Sequence, residues 1–384
     1  MAPILMRYGR HIFFEFTDGA RAREWLRRMA KRVNARQAER GTRFTVNVGF
    51  THAGLAALGL SQASLNSFPE AFRVGPRGRA ELVGDSGPHA PEHWERGLGG
   101  PHIHAMAWLR TQSDEGREEA TRIVRDEMEA SGGVVVGFVQ DTMALAHANG
   151  IGSEGEHFGF ADPISQPPIE GADTPWYPGD GVLEEDGTWR PLKPGEFLLG
   201  YEDEAGFEGT AQPSPRELRL NGTYLVFRKL YQDVAAFRRY LHTAAKSLYA
   251  ADEEHHQELV AAKIMGRWRS GCPVDLSPDK DDLAIAADPE RRNNFTYEDD
   301  PEGLRCPLGA HLRRSNPRAT ELKRATAVRR HRLIRRGVEY GPHLEDGVLE
   351  DDGVDRGLVN MFIQADIERQ FEFVQKEWMK GGEF

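Results

Sequence analysis

A chain of 384 residues with 60 acidic against 49 basic side chains carries a formal charge of −11, which repels nucleic acid and anionic membrane and removes both as expected partners. Hydrophobic residues at 39% and charged ones at 28% describe an ordinary globular protein, long enough for two domains or for two similar halves. Two cysteines, Cys272 and Cys306, give no zinc spacing and suit a reducing compartment, and with no basic–apolar leader the expected location is the cytoplasm.

The first 150 residues alternate between strand and helix periods. His11 to Phe16 (HIFFEF) reads as a strand, and a helix follows with Trp25, Leu26, Met29 and Val33 on one face. Phe44 to Phe50 (FTVNVGF) alternates as a half-buried strand does, and HAGLAALGL reads as a short helix. Ile103 to Thr111 is a third strand. A helix with Ala120, Ile123, Val124 and Met128 on one stripe leads to the fourth, Val134 to Thr142. This β-α-β-(α)-β-α-β order is a ferredoxin-like split arrangement on an antiparallel sheet.

A related cadence returns after residue 220. Thr223 to Leu230 is a strand, and the helix after it turns Val234, Phe237, Leu241 and Ala244 inward. Strands follow at LIRRGVEYG and LVNMFIQA, then a helix with Ile367, Phe371, Val374 and Trp378 on one side. A fourth strand is not legible in this half. The predicted architecture is α+β: two ferredoxin-like halves, 1–215 and 216–384, each an antiparallel sheet with flanking helices. Three long stretches, about 64–101, 150–220 and 266–322, exceed ordinary loops. They are expected to be organised by something between the halves.

Several phrases then occur in order: NVGFTHAGLAALGL, FGFADPISQP, PGEFLLGY, NGTYLVFRKLYQDV, GRW, CPLGAHLRRSNPR, RRGVEYG and IERQFEFVQKEW. Together they make the chain resemble the dye-decolourising peroxidases along most of its length. The resemblance implies haem b in the C-terminal half, hydrogen peroxide as oxidant and small organic electron donors such as dyes and phenols.

By the same resemblance His311 is the proximal iron ligand, the one neutral imidazole such a haem needs. Asp162, in Gly159-Phe160-Ala161-Asp162, is the acid–base group that moves peroxide's proton. Pro163 replaces the glycine usual after it, which restricts the loop. Arg335, before Gly337-Val338-Glu339-Tyr340-Gly341, stabilises charge as the O–O bond breaks. Arg335 and Arg336 face opposite sides of a strand, so one alone can serve.

Arg318 would pair with a haem propionate, and the arginines dense between Arg313 and Arg336 suit a bound anionic group. Glu368, with Asp366 behind it, would accept a hydrogen bond from the proximal imidazole. Leu358 supplies the apolar wall of the distal pocket, and Asn360 stands where a phenylalanine is expected, able to bind a ligand's oxygen. Tyr340 is a candidate surface radical site. The alternative function is a haem storage or delivery protein of peroxidase ancestry. Self-association into a homo-oligomer stays open. His102 and His104 share a strand face without a third metal ligand, and no Gly-x-Ser-x-Gly elbow or phosphate loop appears.

Overall fold

The computed structural model describes residues 6–34, 42–146, 154–209, 212–250, 253–318 and 325–381, and the chain divides into two compact units. The first comprises residues 1–144 and 211–219. Its strands are β1 (Tyr8–Phe16), β2 (Phe44–Phe50), β3 (Ala105–Thr111) and β4 (Val134–Met143), in the antiparallel order β2-β3-β1-β4. Helix α1 (Gly19–Met29) follows β1, and α2 (Asp114–Ser131) joins β3 to β4. Alternate residues Ile12, Phe14 and Phe16 of β1 point into one core. There they meet Trp25 and Met29 of α1 and Val124 and Met128 of α2, the pairing of periods 2 and 3.6 that the sequence displays.

Both helices begin on side-chain caps. Asp18 accepts the amides of Ala20 and Arg21, and Ser113 accepts that of Gly116, satisfying donors that no earlier turn can reach. Helix α1 ends sooner than its apolar stripe suggests. Asn34 is captured by β2, donating its amide to the Val46 carbonyl at 3.0 Å and accepting the Val46 amide on Oδ1 at 2.7 Å. Val33 is therefore exposed, not on the buried face. His102 and His104 precede β3. His102 pairs with Glu15 at 3.0 Å, and His104 Nδ1 accepts the Phe16 amide at 2.8 Å. Among the described residues no cluster of three or more metal-ligating side chains is found.

The second unit comprises 145–210 and 220–384. Its sheet is built from β5 (Tyr224–Tyr231), β6 (Ile334–Tyr340) and β7 (Gly357–Gln364), antiparallel in the order β6-β7-β5. Taken as first, second and third strands, these repeat the β2-β3-β1 order of the first unit. No counterpart of β4 forms among the described residues. Helices α3 (Val234–Tyr249) and α4 (Glu254–Met265) follow β5, and Leu241 and Ala245 of α3 pack with Val260 and Ala261 of α4. A wide-turned helical run over Glu368–Glu372 and Val374–Lys380 follows β7. It buries Phe371, Val374 and Trp378.

The boundary expected at 215 is corrected, because the stretch 145–210 packs with the second unit. Glu196 of the PGEF phrase is the tie. Its Oε2 accepts Arg369 Nη1 at 2.6 Å, and its carbonyl accepts the Ala365 amide at 3.0 Å and Gln370 Nε2 at 2.9 Å. The loop bearing Asp162 therefore belongs to the C-terminal unit.

His331 gives a stability prediction for this unit. Its ring stacks on Phe373 at 3.8 Å and its Nδ1–H donates to the Arg369 carbonyl. Burial, first among its causes, pushes the pKa down from 6.5 to about 4. An unfolded chain takes up this proton near pH 6.5 and the folded chain only near 4, so stability is full above 6.5, falls through that window and is flat below it. The loss attached to the shift is about 3 kcal/mol. Thermal melts at pH 7.5 and 4.5 are expected to show a smaller drop in His331→Phe than in wild type. Equal drops would contradict the assignment.

Candidate active site

Asp162 stands at the end of a loop that is pinned from inside. The buried Glu156 accepts the Phe160 amide on Oε1 at 2.9 Å, and on Oε2 the Phe158 amide at 3.0 Å and Gln232 Nε2 at 2.5 Å. Burial raises the Glu156 pKa, these donors oppose the rise, and the nearby Asp162 charge adds to it. Gly159 sits at φ +92°, where a Cβ would strike the Arg269 guanidinium, so glycine is required both by conformation and by space. Arg269 donates to the Phe158 carbonyl, lies 5.1 Å over the Phe160 ring and pairs with Glu258 at 2.8 Å.

Pro163 does not turn the carboxylate away from the site. Asp162 Oδ1 accepts Arg335 Nη2. Its Oδ2 has no protein partner among the described residues and is not sealed from solvent. Arg335 is fixed at three points: its amide donates to Gln166 Oε1 at 3.1 Å, Nη2 to Asp162, and Nη1 to Asn360 Oδ1 at 3.0 Å. Register explains the last contact. Arg335 lies opposite Phe362, Gly337 opposite Asn360 and Glu339 opposite Leu358, so all six share a sheet face. The exposed Arg336 takes the other face. Gly337 leaves the room, since a Cβ there would come 2.2 Å from Arg335 Nη1.

Gly337→Ala is therefore expected to displace the guanidinium while costing little stability, because the obstructed atom ends a flexible side chain. Asp162-dependent activity would fall at least tenfold, as expected when one preorganised donor is lost, with the unfolding midpoint nearly unchanged. Full activity in a stable variant would show that the clearance has no function.

His311 opens the short helix α5 (His311–Ser315), and the loop before it is wound around one carboxylate. Asp300 accepts the amides of Leu304 at 2.7 Å, Arg305 at 3.1 Å and Cys306 at 2.9 Å. Its Oδ2 also pairs with Arg313 Nη1 at 3.0 Å, both side chains being buried. Arg313 returns to the Cys306 carbonyl at 2.8 Å and lies 4.4 Å over the Tyr297 ring. Burial alone would raise the Asp300 pKa, but the three amides and Arg313 hold it below the usual carboxylate value.

His311 keeps exposed surface, yet protein surrounds it closely enough that desolvation is the first cause of its lowered pKa. The next causes are the charges of Arg335, which lowers the pKa, and of Asp162, which raises it. His311, Arg335 and Asp162 are thus within electrostatic reach of one another. The imidazole makes no hydrogen bond among the described residues, so a nitrogen lone pair is free at neutral pH.

Other expectations need correction. Arg318, at φ +60°, directs Nη1 into the carbonyls of Gly179, Asn293 and Phe295 at 3.1, 2.9 and 3.3 Å and stacks 3.8 Å over Phe295. It holds these loops together through one branch of its guanidinium. Glu368 is exposed, while Asp366 Oδ1 accepts the Arg369 amide at 3.0 Å as a helix cap. Tyr340 is buried, its hydroxyl donating to Asp355 at 3.0 Å, so it is no surface radical site. Leu358 is half-buried one pleat from Asn360, as a wall residue would be.

Sequence reading missed Glu156, Gln166, Asp300 and Arg332. Arg332, surrounded by protein, donates to the carbonyls of Asp180 at 2.8 Å and Gly181 at 3.3 Å. It has no carboxylate partner among the described residues, and burial lowers its pKa to about 10. A guanidinium so placed has unspent charge for an anion. The run of arginines around it was the available signal.

No protein-family model matches the chain. It is 32% identical over 352 residues to Peroxidase 2 of Mycetinis scorodonius, covering 88% of this chain and 62% of that protein. It is also 32% identical over 353 residues to a dye-decolorizing peroxidase of Mycena epipterygia, covering 88% and 61%. An ancestral D-type dye-decolorizing peroxidase superposes with a TM-score of 0.82 at 29% identity, covering 98% of this chain and 80% of that one. The chain is similar to dye-decolourising peroxidases along most of its length. It spans about three fifths of the length of the curated relatives it matches. Another family structure, solved in complex with 2,6-dimethoxyphenol, matches at a TM-score of 0.81 and 28% identity.

Dye-decolourising peroxidases are haem enzymes, and the residues present fit that group. A haem iron needs one neutral imidazole, which the lowered pKa and unengaged ring of His311 supply.

Proposed function

We propose that this protein is a haem peroxidase that uses hydrogen peroxide to oxidise small organic donors, phenols and dyes among them, in one-electron steps. The observation that carries the reading is the Asp162–Arg335 pair, whose charges both act on the unengaged His311 imidazole. His311 would hold the iron of haem b, and Arg332, which has no carboxylate partner among the described residues, would be a cation for its propionates. When bound, the haem would supply the two electrons that reduce peroxide to water and would regain them one at a time from two donor molecules.

The chain's own residues manage the proton and the charge. Asp162 Oδ2, free of protein partners, takes the proton from the near oxygen of peroxide and gives it to the far one, so that water leaves. Oδ1 stays with Arg335, which keeps the carboxylate's orientation through both transfers. Arg335, held by Gln166 and Asn360, offers fixed positive charge where negative charge grows, with no reorganisation at that moment. The buried Glu156 lends rigidity to the loop. A cytoplasmic setting remains part of the proposal, supported by two buried cysteines that are both free thiols.

The test is oxidation of 2,6-dimethoxyphenol by the haem-reconstituted protein with hydrogen peroxide. The expected result is turnover with two donors consumed per peroxide. A haem-loaded protein that leaves the phenol untouched would favour storage or delivery of haem.

A further inference from the structure

The Arg335 side chain is accompanied by a second polar group, Asn360. Asn360 is 4% exposed and lies on the central strand β7, directly opposite Gly337. Its Oδ1 accepts Arg335 Nη1 at 3.0 Å. A guanidinium nitrogen only donates, so this contact fixes which branch of the amide is oxygen. The nitrogen branch is thereby directed elsewhere. Among the described residues Nδ2 donates to no protein acceptor, and it is not closed off from solvent. A side chain this buried with an unspent donor at the edge of open space is poised for a ligand, since buried polar groups otherwise find partners.

We propose that Asn360 contacts the ligand: Nδ2–H donates to the small lone-pair ligand, peroxide in turnover, that is taken up beside Asp162 and Arg335. The proposal rests on the peroxidase reading above. It makes Asn360 a third member of the site, neutral and so independent of pH, whereas Asp162 trades protons and Arg335 carries fixed charge. The pleat supports this division. Gly337 leaves the face of β6 empty where Asn360 enters from β7, and the guanidinium occupies that gap. Asn360 therefore meets the ligand from the strand next to the one that carries Arg335.

Fluoride binding to the haem-reconstituted ferric protein tests this, read from the visible spectrum. Fluoride accepts hydrogen bonds and is not turned over. Asn360→Leu is expected to keep its haem band and to bind fluoride about tenfold more weakly, the worth of one hydrogen bond to a charged acceptor. The same loss is expected when Asn360→Leu is made in Arg335→Ala, because the contact is direct. Unchanged affinity in Asn360→Leu would overturn the proposal. So would a loss that disappears in the Arg335→Ala background, since Asn360 would then act only by holding Arg335. If leucine prevents haem uptake, Asn360→Ala is titrated instead, with the same two criteria. A wild-type protein that takes up no haem would remove the peroxidase reading and this proposal with it, an outcome distinct from intact haem binding with unaltered fluoride affinity.

Discussion

Asp162→Asn is expected to leave haem uptake intact and to slow the reaction with peroxide by about 10²–10⁴-fold, the range of a positioned acid–base group. The substitution is nearly isosteric. An amide oxygen can still accept Arg335 Nη2 as Oδ1 does, so the guanidinium keeps its anchor and its other two contacts to Gln166 and Asn360. What disappears is the second oxygen, which has no protein partner among the described residues and which in the variant becomes an NH₂ unable to take up a proton. Rapid mixing with peroxide, followed in the haem spectrum, separates this step from donor oxidation. A rate within threefold of wild type would place the proton transfer on another group, with Glu156 excluded by its commitment to the Phe158 and Phe160 amides.

Asp300→Ala is expected to destabilise the C-terminal unit by about 3–5 kcal/mol, the cost of stranding one partner of a buried ion pair. Arg313 would keep its charge at 1% exposure with no carboxylate. Three amides of the loop that leads to His311 would lose their acceptor. Denaturant unfolding followed through the haem band reports on this unit specifically, which matters because the chain's two units need not melt together. Faster transfer of haem to an acceptor protein is expected in parallel. A variant as stable as wild type, with haem held equally long, would show that the loop is organised otherwise.

The elements were legible where local pattern and burial agree. β1 alternates because Ile12, Phe14 and Phe16 enter one core, and the opposite facing of Arg335 and Arg336 follows from the pleat alone. The catalytic candidates came instead from resemblance, and the structure adds what brings them together. Arg335 and Asp162 are 173 residues apart in sequence, and no periodicity forecasts such a contact. Gln166, Glu156 and Asp300 act through backbone amides of distant or irregular segments, where polar residues carry no spacing signal. The partners of Arg318 are set by its loop, which brings Nη1 to three carbonyls that no spacing forecasts. Asn360 read as a departure from an apolar wall, and only the register of β6 on β7 shows it beside the gap at Gly337 that the Arg335 guanidinium occupies.

The most direct test of the account is a haemin titration of the purified protein beside His311→Ala, with visible spectra taken before and after hydrogen peroxide. The account predicts a Soret band that depends on His311 and shifts to an oxidised-haem spectrum within seconds of peroxide addition. A band of equal strength in His311→Ala would contradict the assignment of the iron ligand. A His311-dependent band that peroxide merely bleaches would contradict the peroxidase reading and leave a haem carrier.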